Sequence, residues 1–214
     1  METLYPELAL PEGPLDPEAL FPSPLAGEGG EGGASAPREV ILEIGFGGGE
    51  HLVHQAKANP EARFIGVEPF LNGVASCVRH IEEAGVSNAR LLQGDARDVL
   101  ARLPDASLDR IDILFPDPWP KTRHWKRRLI QRDLIAALAR ATKPGGEIRF
   151  ATDWAHYAAW TLELFLKEPR FTWRAERADD WRKPWPAHTP TRYEQKRLGD
   201  CVPIYLRFLR ADRG

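Results

Sequence analysis

The chain has 214 residues, of which 43% are hydrophobic and 28% are charged, and its formal net charge is −2. This length predicts one sizeable hydrophobic core and is too short for two full domains. No apolar run reaches the roughly 18 residues of a membrane span, and the first residues are acidic and proline-rich. We therefore expect neither a membrane span nor a signal peptide, and a cytoplasmic location.

The chain has only two cysteines, Cys77 and Cys201, which lie far apart without paired spacing. A disulfide framework or a zinc site needs more cysteines or closer spacing. We therefore expect no bound metal and a reducing cytosol.

Residues 1–38 contain seven acidic residues against Arg38 alone, so this segment carries −6 and leaves +4 on the rest of the chain. The segment is rich in proline and glycine and has no sustained hydrophobic period, so it buries too little apolar surface to offset its ordering entropy. We predict a flexible acidic N-terminal extension over residues 1–38 and a folded domain over residues 39–214. Within the extension, Leu4–Leu10 or Leu15–Phe21 can dock locally.

From Glu39 onward, short apolar runs alternate with segments of helical period. Five runs are predicted as strands: residues 40–42, 64–67, 90–92, 111–115 and 148–150. The alternation of strands and helices predicts an α/β fold with a mainly parallel sheet covered on both faces. Near the C-terminus, residues 204–208 alternate in polarity as a half-exposed edge strand does.

A glycine-rich loop, Glu43–Gly49, follows the first predicted strand. Gly45 and Gly47 allow the backbone to turn tightly and to approach a ligand closely. A dinucleotide fingerprint starting at Gly45 requires a third glycine at position 50, where this chain has Glu50. A carboxylate at that helix N-terminus would also repel a pyrophosphate, which disfavours a nicotinamide or flavin oxidoreductase.

Carboxylates follow the next two predicted strands, Glu68 at the end of the second and Asp95 after the third. Each can cap the helix that follows, but ligands bind beyond the carboxyl ends of parallel strands, where a carboxylate can accept hydrogen bonds from ribose hydroxyls. The loop resembles the first motif of class I S-adenosylmethionine-dependent methyltransferases, E/D-x-G-x-G-x-G. This resemblance implies a Rossmann-like fold, with a mainly parallel seven-stranded sheet, an antiparallel C-terminal strand and helices on both faces.

The segment Pro116–Arg127 joins a rigid turn to a basic stretch. Asp117 lies between two prolines, which restrict its backbone. Six cations follow with no acidic residue among them: Lys121, Arg123, Lys126, Arg127, Arg128 and Arg132. Cations mixed with aromatic rings suit phosphates and unstacked bases, although a solvated basic helix start gives the same pattern. Trp119 and Trp125 can either stack on bases or pack beneath the loop.

The P-D-P-W motif and the basic run resemble the bacterial tRNA (guanine-N7)-methyltransferase family. The resemblance runs from Glu39 to about Leu206 and includes Ala151–Asp153 and the late signature Thr191–Lys196, whereas Thr122 departs from the family's usual Lys or Arg. It implies methyl transfer from S-adenosylmethionine to N7 of guanine 46 in the tRNA variable loop. The leader is not part of the shared pattern, so the resemblance implies no role for the leader.

The resemblance also implies roles for individual residues. The residues expected to bind the cofactor are Glu43, Gly45, Gly47, Glu68, Asp95 and Asp117, with Asp117 also catalytic. Those expected to hold the target nucleotide are Lys121, Asp153, Thr191, Arg192, Tyr193 and Glu194. Those expected to contact RNA are Arg123, His124, Lys126, Arg127 and Arg128. The expected partner is tRNA, with no metal or membrane, and the expected state is a monomer or homodimer.

The chemistry of guanine N7 is consistent with these residues. N7 carries an unprotonated lone pair, so an in-line displacement needs no general base, and catalysis rests on orientation and electrostatics. Two alternatives stay open: an RNA methyltransferase acting on an exocyclic amine, and a non-catalytic RNA-binding protein on the same fold.

Overall fold

The computed structural model describes residues 4–21 and 38–212, which build a seven-stranded sheet in the order β3-β2-β1-β4-β5-β7-β6. The strands are β1 (Val40–Ile44), β2 (Arg63–Glu68), β3 (Ala89–Gln93), β4 (Leu108–Leu114), β5 (Thr142–Thr152), β6 (Phe171–Trp173) and β7 (Ile204–Arg210). Strands β1 to β5 are parallel, and β7 is antiparallel to both of its neighbours. The predicted fold class is confirmed.

The central strands β1 and β2 are buried along their whole length because helices cover both faces of the sheet. They are α3 (Glu50–Ala58), α4 (Leu71–Ala84), α5 (Ala96–Arg102), α6 (Arg132–Ala141), α7 (Ala155–Leu166), α8 (Asp179–Arg182) and α9 (Arg192–Lys196). Apolar residues of α3 and α4 form one core cluster with Ile41 and Phe64. Residues of α5, α6 and α7 form a second cluster with Leu42 and Ile65.

The prediction that residues 204–208 form an edge strand is wrong. Strand β7 lies between β5 and the three-residue β6, which is the true edge and is too short to give a recognisable period. The alternation is misleading because one of the polar positions of β7 is also covered: Tyr205 is only 4% exposed, and its ring centroid lies 5.6 Å from that of Trp185.

Residues 4–21 form α1 (Tyr5–Leu8) and α2 (Pro17–Leu20) and dock on the domain, in agreement with the expected local docking of Leu4–Leu10 or Leu15–Phe21. The backbone N–H of Leu10 donates to Leu91 O at 2.9 Å, and that of Leu15 donates to Arg102 O at 2.9 Å. Leu10 and Leu15 are both buried. Their side chains join an existing core, so the segment orders without a hydrophobic period of its own. The rest of the predicted extension, residues 22–37, lies outside the described residues.

The topology fixes where a ligand can bind. The chain moves outward from β1 to β3 on one side and then returns to β4 on the other, so the strand order reverses between β1 and β4. In such sheets, ligands bind at this switch point beyond the carboxyl ends of the strands. Within residues 4–21 and 38–212, no helix is both long enough and apolar enough to cross a membrane.

Candidate active site and RNA interface

Five carboxylates lie along the carboxyl edge of the sheet. Their order follows the strand order: Asp95, Glu68, Glu43, Asp117 and Asp153. Neighbouring strands are about 4.8 Å apart, so the row spans about 19 Å. Folding therefore brings together the acidic residues that the sequence singled out.

The glycine loop is open on the side where a ligand would lie. Gly45 and Gly47 have φ of 74° and 55°, and a Cβ atom added to either would meet no atom within 4 Å. Gly49, with φ of 82°, faces the fold instead, since a Cβ there would collide with Sγ of Cys77. The first two glycines thus border the open space, and the third packs the loop onto α4.

Glu68 fixes the glycine loop. Its Oε2 accepts a hydrogen bond from Gly47 N at 2.9 Å, and its Oε1 accepts one from Phe70 N at 3.0 Å. His80 Nδ1 donates to Gly48 O at 2.9 Å, and Gly73 of α4 lies so close that a Cβ would be 2.5 Å from Gly47 O. The sequence does not indicate the roles of His80 and Gly73, because nothing in their spacing links them to the loop.

Glu43 is buried beneath the loop and paired with a histidine. Its Oε2 accepts from Nδ1 of His51 at 2.8 Å, and both side chains are almost fully buried. Burial alone would lower the pKa of His51, but the charge and hydrogen bond of Glu43, with the charge of Asp112, raise it overall. No spacing in the sequence indicates that His51 is the partner of Glu43.

Asp95 caps a helix, which is the alternative role that its position after a strand predicts. Its Oδ1 accepts from Arg97 N at 2.8 Å at the start of α5, and its carboxylate pairs with the Arg97 side chain. The Asp95 side chain is 53% exposed, so its remaining lone pairs face solvent at the carboxyl edge.

Asp117 is exposed on a strained turn. Two large aromatic residues flank the Pro-Asp-Pro segment in the left-handed region, Phe115 with φ of 50° and Trp119 with φ of 41°. Such conformations cost about 1–3 kcal/mol each and persist only where the surroundings enforce them. The turn therefore presents the Asp117 carboxylate at the switch point in an enforced geometry.

A short 3-10 helix, Thr122–Arg127, carries the basic segment. Its exposed cations, with Lys121 just before it, are Arg123, Lys126 and Arg127. The ion pairs among the described residues, such as Arg97–Asp133, do not include any of these four cations. The Arg127 guanidinium lies 5.0 Å from the Trp119 ring, and His124 meets that ring edge-on. The surface beside Asp117 is thus positively charged.

The prediction of an RNA contact for Arg128 is wrong for this structure, because Arg128 is only 2% exposed. Its Nε donates to Pro118 O at 2.9 Å, and its Nη1 lies 3.2 Å from His156 Nδ1. Three rings enclose its guanidinium at about 5 Å, those of Trp125, Tyr157 and Trp160. Trp125 therefore packs beneath the loop, and Arg128 holds the turn that carries Asp117.

The late signature forms α9. Thr191 Oγ1 caps the helix by accepting from Glu194 N at 3.1 Å, while Arg192 and Tyr193 are exposed. The Glu194 carboxylate points inward, where it accepts from Nε2 of His188 at 2.7 Å and from the Tyr205 hydroxyl. Burial raises the pKa of Glu194, but these two hydrogen bonds lower it overall.

Asp153 joins this segment to the sheet edge. Its Oδ2 accepts from Gly199 N at 2.8 Å, and its backbone oxygen accepts from Cys201 N at 3.0 Å. The chain after α9 is thereby held at the end of β5, beside the other carboxylates.

The donor set suits a cationic cofactor without phosphate. The loop is bordered by carboxylates, and Glu50 begins α3, where a pyrophosphate would need a free helix N-terminus. Among the described residues, no group of His, Cys, Asp or Glu is arranged to hold a metal ion. The open space above Gly45 and Gly47 accommodates a ligand that approaches the backbone closely.

Comparison with known proteins agrees with this geometry. A family model described as "Putative methyltransferase" matches residues 37–205. A relative from Caulobacter vibrioides named tRNA (guanine-N(7)-)-methyltransferase is 54% identical, over 98% of this chain and 87% of its own length. A relative of the same name from Nitrobacter hamburgensis is 50% identical, over 98% of this chain and 79% of its own length. These alignments extend into the leader, whereas the family model begins at residue 37.

Solved structures with the same fold are distant in sequence. An rRNA methylase from Streptococcus thermophilus superposes with a TM-score of 0.57 at 10% identity, covering 82% of this chain and 88% of its own. A structure from Streptococcus mutans described as "a putative methyltransferase", solved with S-adenosylhomocysteine, superposes with a TM-score of 0.54 at 9% identity, covering 81% of this chain and 89% of its own. The architecture is thus that of class I methyltransferases. With the identities above, the chain belongs to the tRNA (guanine-N7)-methyltransferase family.

Proposed function

We propose that this protein transfers a methyl group from S-adenosylmethionine to N7 of a guanine in tRNA, and that this guanine is nucleotide 46 of the variable loop. The observation that carries the proposal is the row of carboxylates beside an open glycine loop, directly next to a surface of exposed cations. Relatives that bear the name of this activity are 50–54% identical over 98% of the chain. We further propose that the protein acts in the cytoplasm as a monomer or homodimer.

The residues that would hold the cofactor are those around the glycine loop. Gly45 and Gly47 would let the backbone approach it, Glu68 and Asp95 would accept from its hydroxyl and amino groups, and Glu43 would face its cationic end. When bound, the cofactor supplies a methyl group activated by a sulfonium. No pyrophosphate has to be accommodated, so the acidic lining is favourable rather than repulsive.

Asp117 would act at the reacting face of the base. Methylation of N7 makes the purine cationic, and a carboxylate held in a fixed position stabilises that developing charge without reorganising. The enforced backbone on both sides of Asp117 supplies this fixed position. No side chain needs to accept a proton, because N7 is already unprotonated at neutral pH.

The tRNA would bind across the neighbouring cations and the late signature. Lys121, Arg123, His124, Lys126 and Arg127 would contact phosphates, each contact making the affinity more dependent on salt. The target nucleotide would lie between Lys121, Asp153 and the segment Thr191–Glu194. Arg192 and Tyr193 face outward for this role, whereas Glu194 would act mainly by fixing α9.

The proposal is tested by methyl transfer from labelled S-adenosylmethionine to an unmodified tRNA transcript. A transcript with guanine at position 46 should accept the methyl group, and one with adenine there should not. Equal labelling of both transcripts would refute the site, and a methyl mapped to an exocyclic amine would favour the first alternative enzyme. Calorimetry showing no binding of S-adenosylhomocysteine would favour the non-catalytic RNA-binding alternative.

A further inference from the structure

A chain of buried polar side chains runs from beneath the glycine loop to the late signature. At one end, Nδ1 of His51 donates to Glu43 at 2.8 Å, and at the other, Nε2 of His188 donates to Glu194 at 2.7 Å. The two imidazole rings are neighbours, with centroids 6.0 Å apart and planes tilted by 41°. Two histidine–carboxylate pairs, separated by 188 − 51 = 137 residues at their nearest members, therefore meet inside the molecule.

The contact between the two pairs is part of the folded structure. Gln55, one turn after His51 in α3, donates from its Nε2 to Ala187 O at 2.8 Å. Ala187 is held in the left-handed region with φ of 61°, a conformation that its surroundings must enforce. Residues 185–188 are therefore docked on α3.

The environment of His188 is equally fixed. Its side chain is only 2% exposed, and its ring is enclosed by those of Trp185 at 5.3 Å and Tyr205 at 5.4 Å. Tyr205 also donates its hydroxyl to Glu194. A shift of α9 would break both hydrogen bonds to Glu194, and their loss would leave buried polar groups unpaired.

Both histidines have a second nitrogen that the described side chains do not satisfy. His51 Nε2 and His188 Nδ1 are buried and make no hydrogen bond to any atom of the described residues. The same is true of Oδ1 of Asp112. Asp112 is the cross-strand neighbour of Glu43, so these groups lie in one polar region under the sheet face. Buried polar atoms without partners are rare and costly.

We propose that His51 and His188 are positioning residues that couple the cofactor loop to the nucleotide-binding segment. His51 orients Glu43, and His188 orients Glu194 and with it α9. Because the two histidines are in contact, the ordered glycine loop favours the ordered position of α9, and the reverse. This inference rests on the proposed function, because it assigns the two ends to cofactor and nucleotide. Coupling of this kind is reciprocal, so replacing either histidine lowers the affinity for both the cofactor and the tRNA.

The test measures cofactor-product affinity in variants at the nucleotide end. His188→Phe keeps a ring but removes the hydrogen bond to Glu194, so calorimetric titration should show S-adenosylhomocysteine binding weakened by about fivefold. His51→Leu should weaken tRNA binding to a similar extent. The double variant should lose less than the product of the two single effects, as expected for residues in one network.

Conservative variants and a matched control separate positioning from packing. His188→Gln places an amide nitrogen near the position of Nε2 and should restore S-adenosylhomocysteine affinity to within about twofold of wild type. His54→Phe changes an exposed histidine of the same helix α3 and should alter neither affinity. If His188→Phe does not fold, Tyr205→Phe, which removes only the hydroxyl bond to Glu194, serves in its place.

The inference is overturned if folded His188→Phe, or Tyr205→Phe in its place, binds S-adenosylhomocysteine as tightly as wild type. It is also overturned if the double variant shows fully multiplicative losses. Failure of the proposed function looks different, because wild-type protein would then bind no S-adenosylhomocysteine or methylate no tRNA.

Discussion

Arg128 donates from its Nε to the backbone oxygen of Pro118 at 2.9 Å, so a cation in the basic run holds the turn that carries Asp117. Its neighbour Arg127 is exposed and lies over Trp119. Adjacent arginines thus have different roles, one in the fold and one on the surface.

Replacing these two arginines should separate the roles. Arg128→Ala should lower the free energy of unfolding by about 2–4 kcal/mol, because it removes a buried, hydrogen-bonded cation and its aromatic contacts. Arg127→Ala should leave the unfolding free energy within about 0.5 kcal/mol of wild type but reduce the salt slope of tRNA binding by about 1. Urea unfolding and binding titrations at several salt concentrations measure the two effects. An unchanged stability in Arg128→Ala would refute the structural role.

Asp117→Asn should reduce turnover far more than tRNA affinity. The amide keeps the size of the side chain but loses the charge that would stabilise the cationic product, so kcat should fall by about 10²–10³-fold. Asp105→Asn is the matched control, since Asp105 is an exposed acid in the loop before β4, at the opposite edge of the sheet. Rates of methyl transfer measure the effect on turnover, and binding titrations measure the effect on tRNA affinity. Unchanged kcat in Asp117→Asn would remove the residue from catalysis.

Gly73→Ala should weaken cofactor binding without unfolding the protein. The added Cβ would stand 2.5 Å from Gly47 O, so the glycine loop must shift. Alanine is a better helix former than glycine by about 1 kcal/mol, so α4 itself should not be weakened. We expect S-adenosylhomocysteine affinity to fall by about tenfold in calorimetry, an effect of about 1.4 kcal/mol. Ser76→Ala in the same helix is the control, and equal affinities in both variants would contradict the loop contact.

The stability of the protein should depend on pH through His51. Its pKa in the folded protein lies above the ordinary value of 6.5. The stabilisation that the protonated His51 gains from Glu43 is therefore complete at pH values below 6.5, and it is lost as the pH rises through the raised pKa of the folded protein. The difference in unfolding free energy between wild type and His51→Leu should shrink over this range, as measured by urea unfolding at a series of pH values. A difference that stays constant with pH for His51→Leu would contradict the Glu43 pairing.

Leu15 tests whether the leader is part of the fold. It is 2% exposed, so Leu15→Ala should lower the free energy of unfolding by about 2–4 kcal/mol through lost burial and a cavity. Leu166→Ala, at a position 61% exposed, should cost well under about 1 kcal/mol. Urea unfolding compares the two variants. If both changes cost the same small amount, the leader does not contribute its side chains to the core.

Much of the fold could be predicted from the sequence because its signals are local. The strands around Leu42 and Ile65 are continuous apolar runs, and the parallel arrangement then brings Glu43, Glu68 and Asp95 to one edge. Those predictions needed only hydrophobic period and strand direction.

The errors concern contacts that no local pattern records. Arg128 and Arg127 are identical in type and adjacent, and only the position of three distant aromatic rings separates a buried cation from an exposed one. The pairing of Glu43 with His51 depends on the angle at which α3 leaves the loop. The leader docks because distant core surface is available to Leu10 and Leu15, a property of the whole fold rather than of the segment.

The central claim is that the methyl group is transferred to N7 of the guanine. The most direct measurement uses a tRNA whose guanine 46 is replaced by 7-deazaguanine, in which a carbon stands in place of N7. Methyl incorporation from labelled S-adenosylmethionine should occur with the guanine tRNA and be absent with the 7-deazaguanine tRNA, while the two bind with equal affinity. Equal incorporation into both would place the methyl group on another atom and contradict the claim.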